Sequence, residues 1–126
     1  MPPIDEFGLP AGYRLKPDLE LSPRETAARL ERGEVVLIDC RREDERRIAS
    51  IAGSIHVPLD RLGEWIEEAR EAETNSETSI VVHCHHGVRS MQAVGLLQHA
   101  GFQHARSMAG GIDLWSVAVD PSIPRY

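Results

Sequence analysis

Cys84 and Arg89 stand with four residues between them in the stretch SIVVHCHHGVRS, Ser79 to Ser90. The pair combines a nucleophile with a cation suited to oxyanions. A free thiol ionises near pH ~8.5, and a helix N-terminus with a neighbouring arginine lowers that by about one to several units, so a thiolate is expected at neutral pH. Arg89 is charged at every accessible pH and has the planar fork that grips an oxyanion in two places, so it can position a substrate's negative group. The backbone amides of His85, His86, Gly87, Val88, Arg89 and Ser90 would face inward. With the positive end of the following helix dipole they would hold an anion without a metal. The plainer alternative is a strand-end cysteine and a surface arginine. The ordered coincidence of strand, cysteine, glycine, arginine and helix onset favours a nucleophile loop.

The histidines around Cys84 suggest zinc at first sight, but recognised zinc sites separate their ligands into spaced pairs. Four consecutive residues, His83 to His86, do not aim at one ion, so no metal is expected. His83, ahead of the nucleophile on the strand, reads as a packed core histidine. His85 and His86 should project outward, where substrate arrives, either tuning selectivity or simply solvated. Cys40 reads as an inert strand-end residue, with a resolving thiol near Cys84 as its alternative. Asp39 and Arg41 could bind substrate or form an ion pair that holds the loop's platform.

The elements that must position these groups follow from period and punctuation. Ile80, Val81 and Val82 form a continuous β-branched run, the mark of a strand buried on both faces of a parallel sheet. From Ser90, Met91, Val94 and Leu97, with Ala93 and Leu96, recur at helical spacing, so the loop must reverse the chain; Gly87 supplies the freedom. Ser22, Pro23 and Glu25 open an earlier helix as cap, first-turn proline and capping-box acid, ending at Gly33. Strands are predicted at Val35–Ile38, Ser54–Val57 and His104–Met108. Helices are predicted at Glu43–Ile48, Arg61–Glu73, with Leu62, Trp65, Ile66 and Ala69 inward, and Gly110–Val117. Trp65 and Trp115 read as core. Residues 1–20 lack either period and read as an extended arm. Residues 21–126 form one domain with a short tail from about 119. The alternation predicts an α/β fold of three layers, a central parallel sheet with helices on both faces. Ligands gather at the carboxyl ends of such strands, where Asp39, Arg41 and Cys84 would converge.

The segment CHHGVRS resembles the active-site loop of rhodanese-type sulfurtransferases. Ile38-Asp39-Cys40-Arg41 resembles their Asp-x-Arg strand end, with Glu45 placed like a recurrent downstream glutamate. IAGSIHVPL, Ile51 to Leu59, and Gly110, Gly111 and Trp115 match two further segments. Ala49 and Ser50 stand where the family often has Gly-His, and Ala52 where it has proline. The resemblance implies a rhodanese-like fold, and a Cys84 persulfide that carries sulfane sulfur from a small anionic donor such as thiosulfate to cyanide, a thiol or a protein. It implies no cofactor. Phosphatases of the same fold carry one more residue in the loop, so four intervening residues favour sulfur over phosphate. A persulfide-carrying or regulatory module acting on a protein partner is the second reading, and a cysteine-dependent phosphatase or arsenate reductase the third.

Composition narrows the setting. The chain has 126 residues, two cysteines and a net charge of −6. That suits one core without a disulfide framework and argues against a nucleic-acid surface, so attraction of an anion must be local to the loop. No apolar run approaches the ~20 residues of a membrane span, and two cysteines without a secretory signal predict reduced thiols in the cytoplasm. Oligomeric state has no signature here.

Overall fold

The structure, a computed structural model, describes residues 3–71 and 78–126. Along the chain run β1 (Glu20–Leu21), α1 (Pro23–Glu31), β2 (Val36–Asp39), α2 (Glu43–Ile48), β3 (Ile55–His56), α3 (Leu62–Glu71), β4 (Ile80–His83), α4 (Val88–His99), β5 (Arg106–Met108) and α5 (Gly111–Ala118). The strands pair in parallel in the order β1-β5-β4-β2-β3, so β4 lies at the centre of the sheet.

Strand periodicity sorts side chains between two cores. Ile38, Ile80 and Val82 face α3 and α4 and meet Leu62, Ile66, Val94 and Leu97; Leu37 and Val81 face α1 and α5 and meet Leu30, Ile112 and Trp115. Full burial of each such side chain is worth roughly 1.5–3 kcal/mol. The predicted three-layer α/β arrangement is therefore the observed one. α1 opens as expected, with Pro23 in its first turn and the Glu25 N–H donating to Ser22 Oγ at 3.2 Å.

Several boundaries move. The strand Glu20–Leu21 was not signalled, because two residues carry no readable period. The arm is looped, not extended: Asp5 N–H donates to Leu9 O at 2.8 Å, and Leu9 packs with Ala109 and Leu114. Arg24 ties the arm to the domain, donating to both Asp5 O and Ala118 O at 3.0 Å. α4 begins at Val88, two residues before the predicted onset at Ser90, because Gly87 caps it and Val88, 72% exposed, breaks the apolar pattern. Leu96 is exposed although Ala93 is buried, which narrows the helix's inward face. Trp65 is half-buried, tilted against Phe102. A 3-10 turn, Leu59–Arg61, precedes α3. Ala72 and Glu73, the end of the predicted helix, and Met1 and Pro2 of the arm lie outside the described residues. No helix among those described is long and apolar enough to cross a membrane.

Candidate active site

The loop after β4 is held from outside by α5. Ile112 N–H donates to Cys84 O at 2.9 Å and Asp113 N–H to His85 O at 3.2 Å. This approach needs Gly111: its φ is +62°, and a Cβ there would lie 2.4 Å from His85 O. With these carbonyls turned outward, amides further along turn in. The Gly87 N–H reaches Cys84 Sγ at 3.0 Å and the Ser90 N–H at 3.4 Å, with Ser90 Oγ also at 3.4 Å. Ser90 Oγ is itself fixed by Gly87 O at 3.1 Å and Ser107 Oγ at 2.7 Å. Of the six predicted cradle amides, two therefore bond the sulfur in this state.

Cys84 is 1% exposed, yet its pKa falls from 9.0 to about 4. The neighbouring Cys40 thiol is the leading cause; burial opposes it, and the Ser90 hydroxyl and the Ser90 and Gly87 amides add to the lowering. Cys40 answers in the opposite sense: its hydrogen bond to Cys84 and its burial drive its own pKa far up, so it stays a thiol. The sequence credits the helix and Arg89 with lowering the nucleophile's pKa and offers Cys40 only as an inert residue or a resolving thiol; the structure adds Cys40 to the causes. The adjacency comes from register. Asp39 pairs with His83 across β2 and β4, and Cys40 N–H continues the ladder onto His83 O at 3.0 Å, so Cys40 and Cys84 are the next residues side by side.

Arg89 does not point its fork into empty space. Both its terminal nitrogens donate to Glu45, NH2 reaching Oε2 at 2.9 Å, and Tyr126 OH donates to the same oxygen at 2.8 Å. Hydrogen bonding from Arg89, assisted by Tyr126 and the Arg42 amide and opposed by burial, lowers the Glu45 carboxyl from 4.5 to about 2. Arg89 is correspondingly raised, first by Glu45, with the charge on Cys84 adding to the effect. An open cavity of ≈ 460 Å³ beside the loop is lined by Cys40, Arg42, Pro58, Leu59, Asp60 and Arg89. A larger one, ≈ 520 Å³, lined by residues including Ser79 and Arg106, lies at the amino ends of the strands, away from the nucleophile.

Asp39 and Arg41 are both 0% exposed and paired, Nε to Oδ1 at 2.9 Å and NH2 to Oδ2 at 2.8 Å. The remaining donors of Arg41 reach Tyr126 OH at 2.8 Å, Ala49 O at 2.6 Å and Glu45 O at 3.5 Å. A guanidinium with every N–H engaged has none to offer a substrate, so the geometry supports the platform over the substrate-binding role. His83 is wholly buried, and burial takes its pKa to about 4, so it is neutral; its Nε2 has no hydrogen-bond partner and lies 4.0 Å from Asp39 Oδ2.

His85 is half-buried and stacked between His86, at 3.9 Å, and Tyr126, at 4.0 Å, while His86 and Val88 are exposed at the mouth. Ligand atoms of His85, His86 and Asp113 lie within 4.8 Å of one another, with the two imidazole rings stacked. Arg125 already binds the Asp113 carboxylate through both oxygens, at 2.8 and 3.0 Å. Sequence reasoning missed Tyr126, Ser107 and the clamp made by Glu45. Glu45 and Gly111 were visible as motif positions; Tyr126 and Ser107 carried no local signal.

The rhodanese-like domain family model matches residues 22–118. The rhodanese-like/PpiC domain-containing protein 12, chloroplastic, of Arabidopsis thaliana is 41% identical over 74% of this chain, which spans 31% of that relative's length. Thiosulfate sulfurtransferase GlpE of Coxiella burnetii is 27% identical over 76% of this chain and 85% of its own. Among solved structures, the human single-domain sulfurtransferase TSTD1 aligns with a TM-score of 0.69 and 27% identity, covering 76% of this chain and 93% of that one.

Proposed function

The chain belongs to the rhodanese-like domain family, and from that premise we propose that it is a sulfurtransferase working in two steps through a Cys84 persulfide. The Gly87 and Ser90 amides aimed at Cys84 Sγ are the observation that carries this reading, and the lowered pKa of Cys84 agrees with it. In the first step the thiolate attacks the outer sulfur of a donor such as thiosulfate. The new S–S bond forms as the S–S bond of the donor breaks, and sulfite leaves with its electron pair. The amides that stabilise a thiolate also suit the persulfide anion, so the site is preorganised for both charge states. Arg89, fixed at the rim by Glu45, steers the incoming dianion. In the second step cyanide, a thiol or a protein thiol attacks the outer sulfur and returns Cys84 as thiolate. No cofactor takes part. The sulfurtransferase relatives GlpE and TSTD1 support sulfur transfer in general, and thiosulfate as donor is drawn from the thiosulfate sulfurtransferases among the relatives, GlpE included. The proposed setting is the reducing cytoplasm, which suits a free thiol nucleophile.

Intact mass after incubation with thiosulfate tests this. Wild type should first gain one sulfur atom and Cys84→Ser none; sulfur found on Cys40 would overturn the assignment. Cyanide-dependent turnover separates a free catalyst from a carrier serving a protein partner. Aryl phosphates should remain intact, and robust Cys84-dependent hydrolysis without persulfide would promote the phosphatase reading.

A further inference from the structure

We propose that Cys40 is a resolving thiol that attacks the Cys84 persulfide, releases hydrosulfide and leaves a Cys40–Cys84 disulfide, giving the protein a second outcome besides transfer to an external acceptor. The proposal rests on the persulfide reading above and adds a fate for the sulfur. Three observations carry it. Cys40 and Cys84 follow the paired residues Asp39 and His83 on adjacent parallel strands, and the Cys40 N–H bond to His83 O at 3.0 Å keeps them in register. Adjacent strands lie about 4.8 Å apart, within the Cα separation of about 4.4–6.8 Å that a disulfide spans without backbone movement. Both side chains belong to the same core, the one shared with Ile38 and Val82, so both sulfurs lie on one side of the sheet. Finally, Cys40 lines the ≈ 460 Å³ cavity whose rim carries Arg42 and Arg89, which offers a small anion a way out.

The step balances without any added oxidant. Cys40, buried beside the strand that carries Cys84, holds its thiol proton. With a persulfide in place, that proton passes to the outer sulfur, turning it into a hydrosulfide leaving group and Cys40 into a thiolate. The Cys40 thiolate then attacks Cys84 Sγ. One S–S bond forms, the persulfide S–S bond breaks, and the electron pair leaves with hydrosulfide. The outer sulfur is reduced and Cys40 is oxidised. An external dithiol reopens the disulfide by ordinary exchange, so the cycle consumes a sulfane donor and a dithiol and yields hydrosulfide.

The test uses the full chain, reduced and desalted, loaded with thiosulfate and freed of excess donor with no small thiol present. Wild type should pass from the mass of one added sulfur to that of two hydrogens lost. One hydrosulfide should be released per chain, and a peptide map should join Cys40 to Cys84. Cys40→Ser and Cys40→Ala should keep the added sulfur and release at least tenfold less hydrosulfide. Wild type that holds its sulfur as long as these variants, with no joined peptide, overturns the resolving role and leaves the sulfur-transfer reading intact. If neither wild type nor variants gain sulfur, the persulfide reading fails and the resolving role fails with it. Because the joined peptide is sought in wild type, its presence or absence does not depend on how well the variants fold.

Discussion

Glu45 grips both terminal nitrogens of Arg89 from 44 residues away, so the cation beside the nucleophile loop is aimed by a carboxylate on α2. Hydrogen bonds to charged groups are worth about 1.5–3 kcal/mol, and about 1.4 kcal/mol is tenfold in rate. Arg89→Lys should therefore lower kcat/KM for thiosulfate about tenfold, and Arg89→Ala further, because lysine keeps the charge but loses the fork. Glu45→Gln, which leaves Arg89 charged but loosely aimed, should fall between Arg89→Lys and wild type. Steady-state kinetics on the four proteins check this; equal rates would make Arg89 a bystander.

The same carboxylate shapes acid stability. Its folded pKa is depressed to about 2 from 4.5, so the stabilisation is fully present above the unfolded value and is lost as pH falls through the folded one. Thermal midpoints of wild type should therefore drop between about pH 4.5 and 2 more steeply than those of Glu45→Gln. Parallel curves for the two proteins would show that Glu45 contributes nothing in that window.

Cys84 should react with iodoacetamide at a nearly constant rate from neutral pH downward until the profile bends near pH 4, where the thiolate is protonated. Cys40→Ala should move that bend upward. The direction is set by Cys40 leading the causes of the lowered pKa. An unmoved bend would assign the lowering to the loop amides instead.

Gly111→Ala should displace the loop, since its new Cβ would sit 2.4 Å from His85 O. The expected result is loss of most persulfide formation and an upward shift of the Cys84 alkylation bend. Gly63, which has open space around its Cβ direction, supplies the control: Gly63→Ala should leave both readouts unchanged and gain up to about 1 kcal/mol of stability from helix propensity. Full activity in Gly111→Ala would show that the approach of α5 is dispensable.

Local chemistry is what the sequence carried well. The β-branched run before Cys84, the turn at Gly87 and the cap at Ser22 each act within a few residues, and each lies where expected. Long-range partners were another matter. Tyr126 bonds Arg41 and Glu45 across more than 80 positions, 85 and 81, and no pattern around Tyr126 encodes that. The arm illustrates the same limit, because Leu9 finds Ala109 and Leu114 only once the sheet exists. Cys40 reads from sequence as inert or as a resolving thiol, and only its neighbour strand shows how near Cys84 it stands. The onset of α4 was missed for a different reason: Val88 is apolar but faces solvent, so periodicity started the helix two residues late.

The central place of β4 bears on how the molecule breathes. β4 lies between β5 and β2, with Val81 and Val82 paired on both sides, whereas the outermost strands, β1 and β3, have two residues each. Amide protons of Val81, Val82 and His83 should exchange with solvent only on global opening, while those of Leu21 and His56 exchange by fraying. The nucleophile thus hangs from the last part of the fold to open, and its reactivity toward a donor should survive mild denaturant until the whole domain lets go.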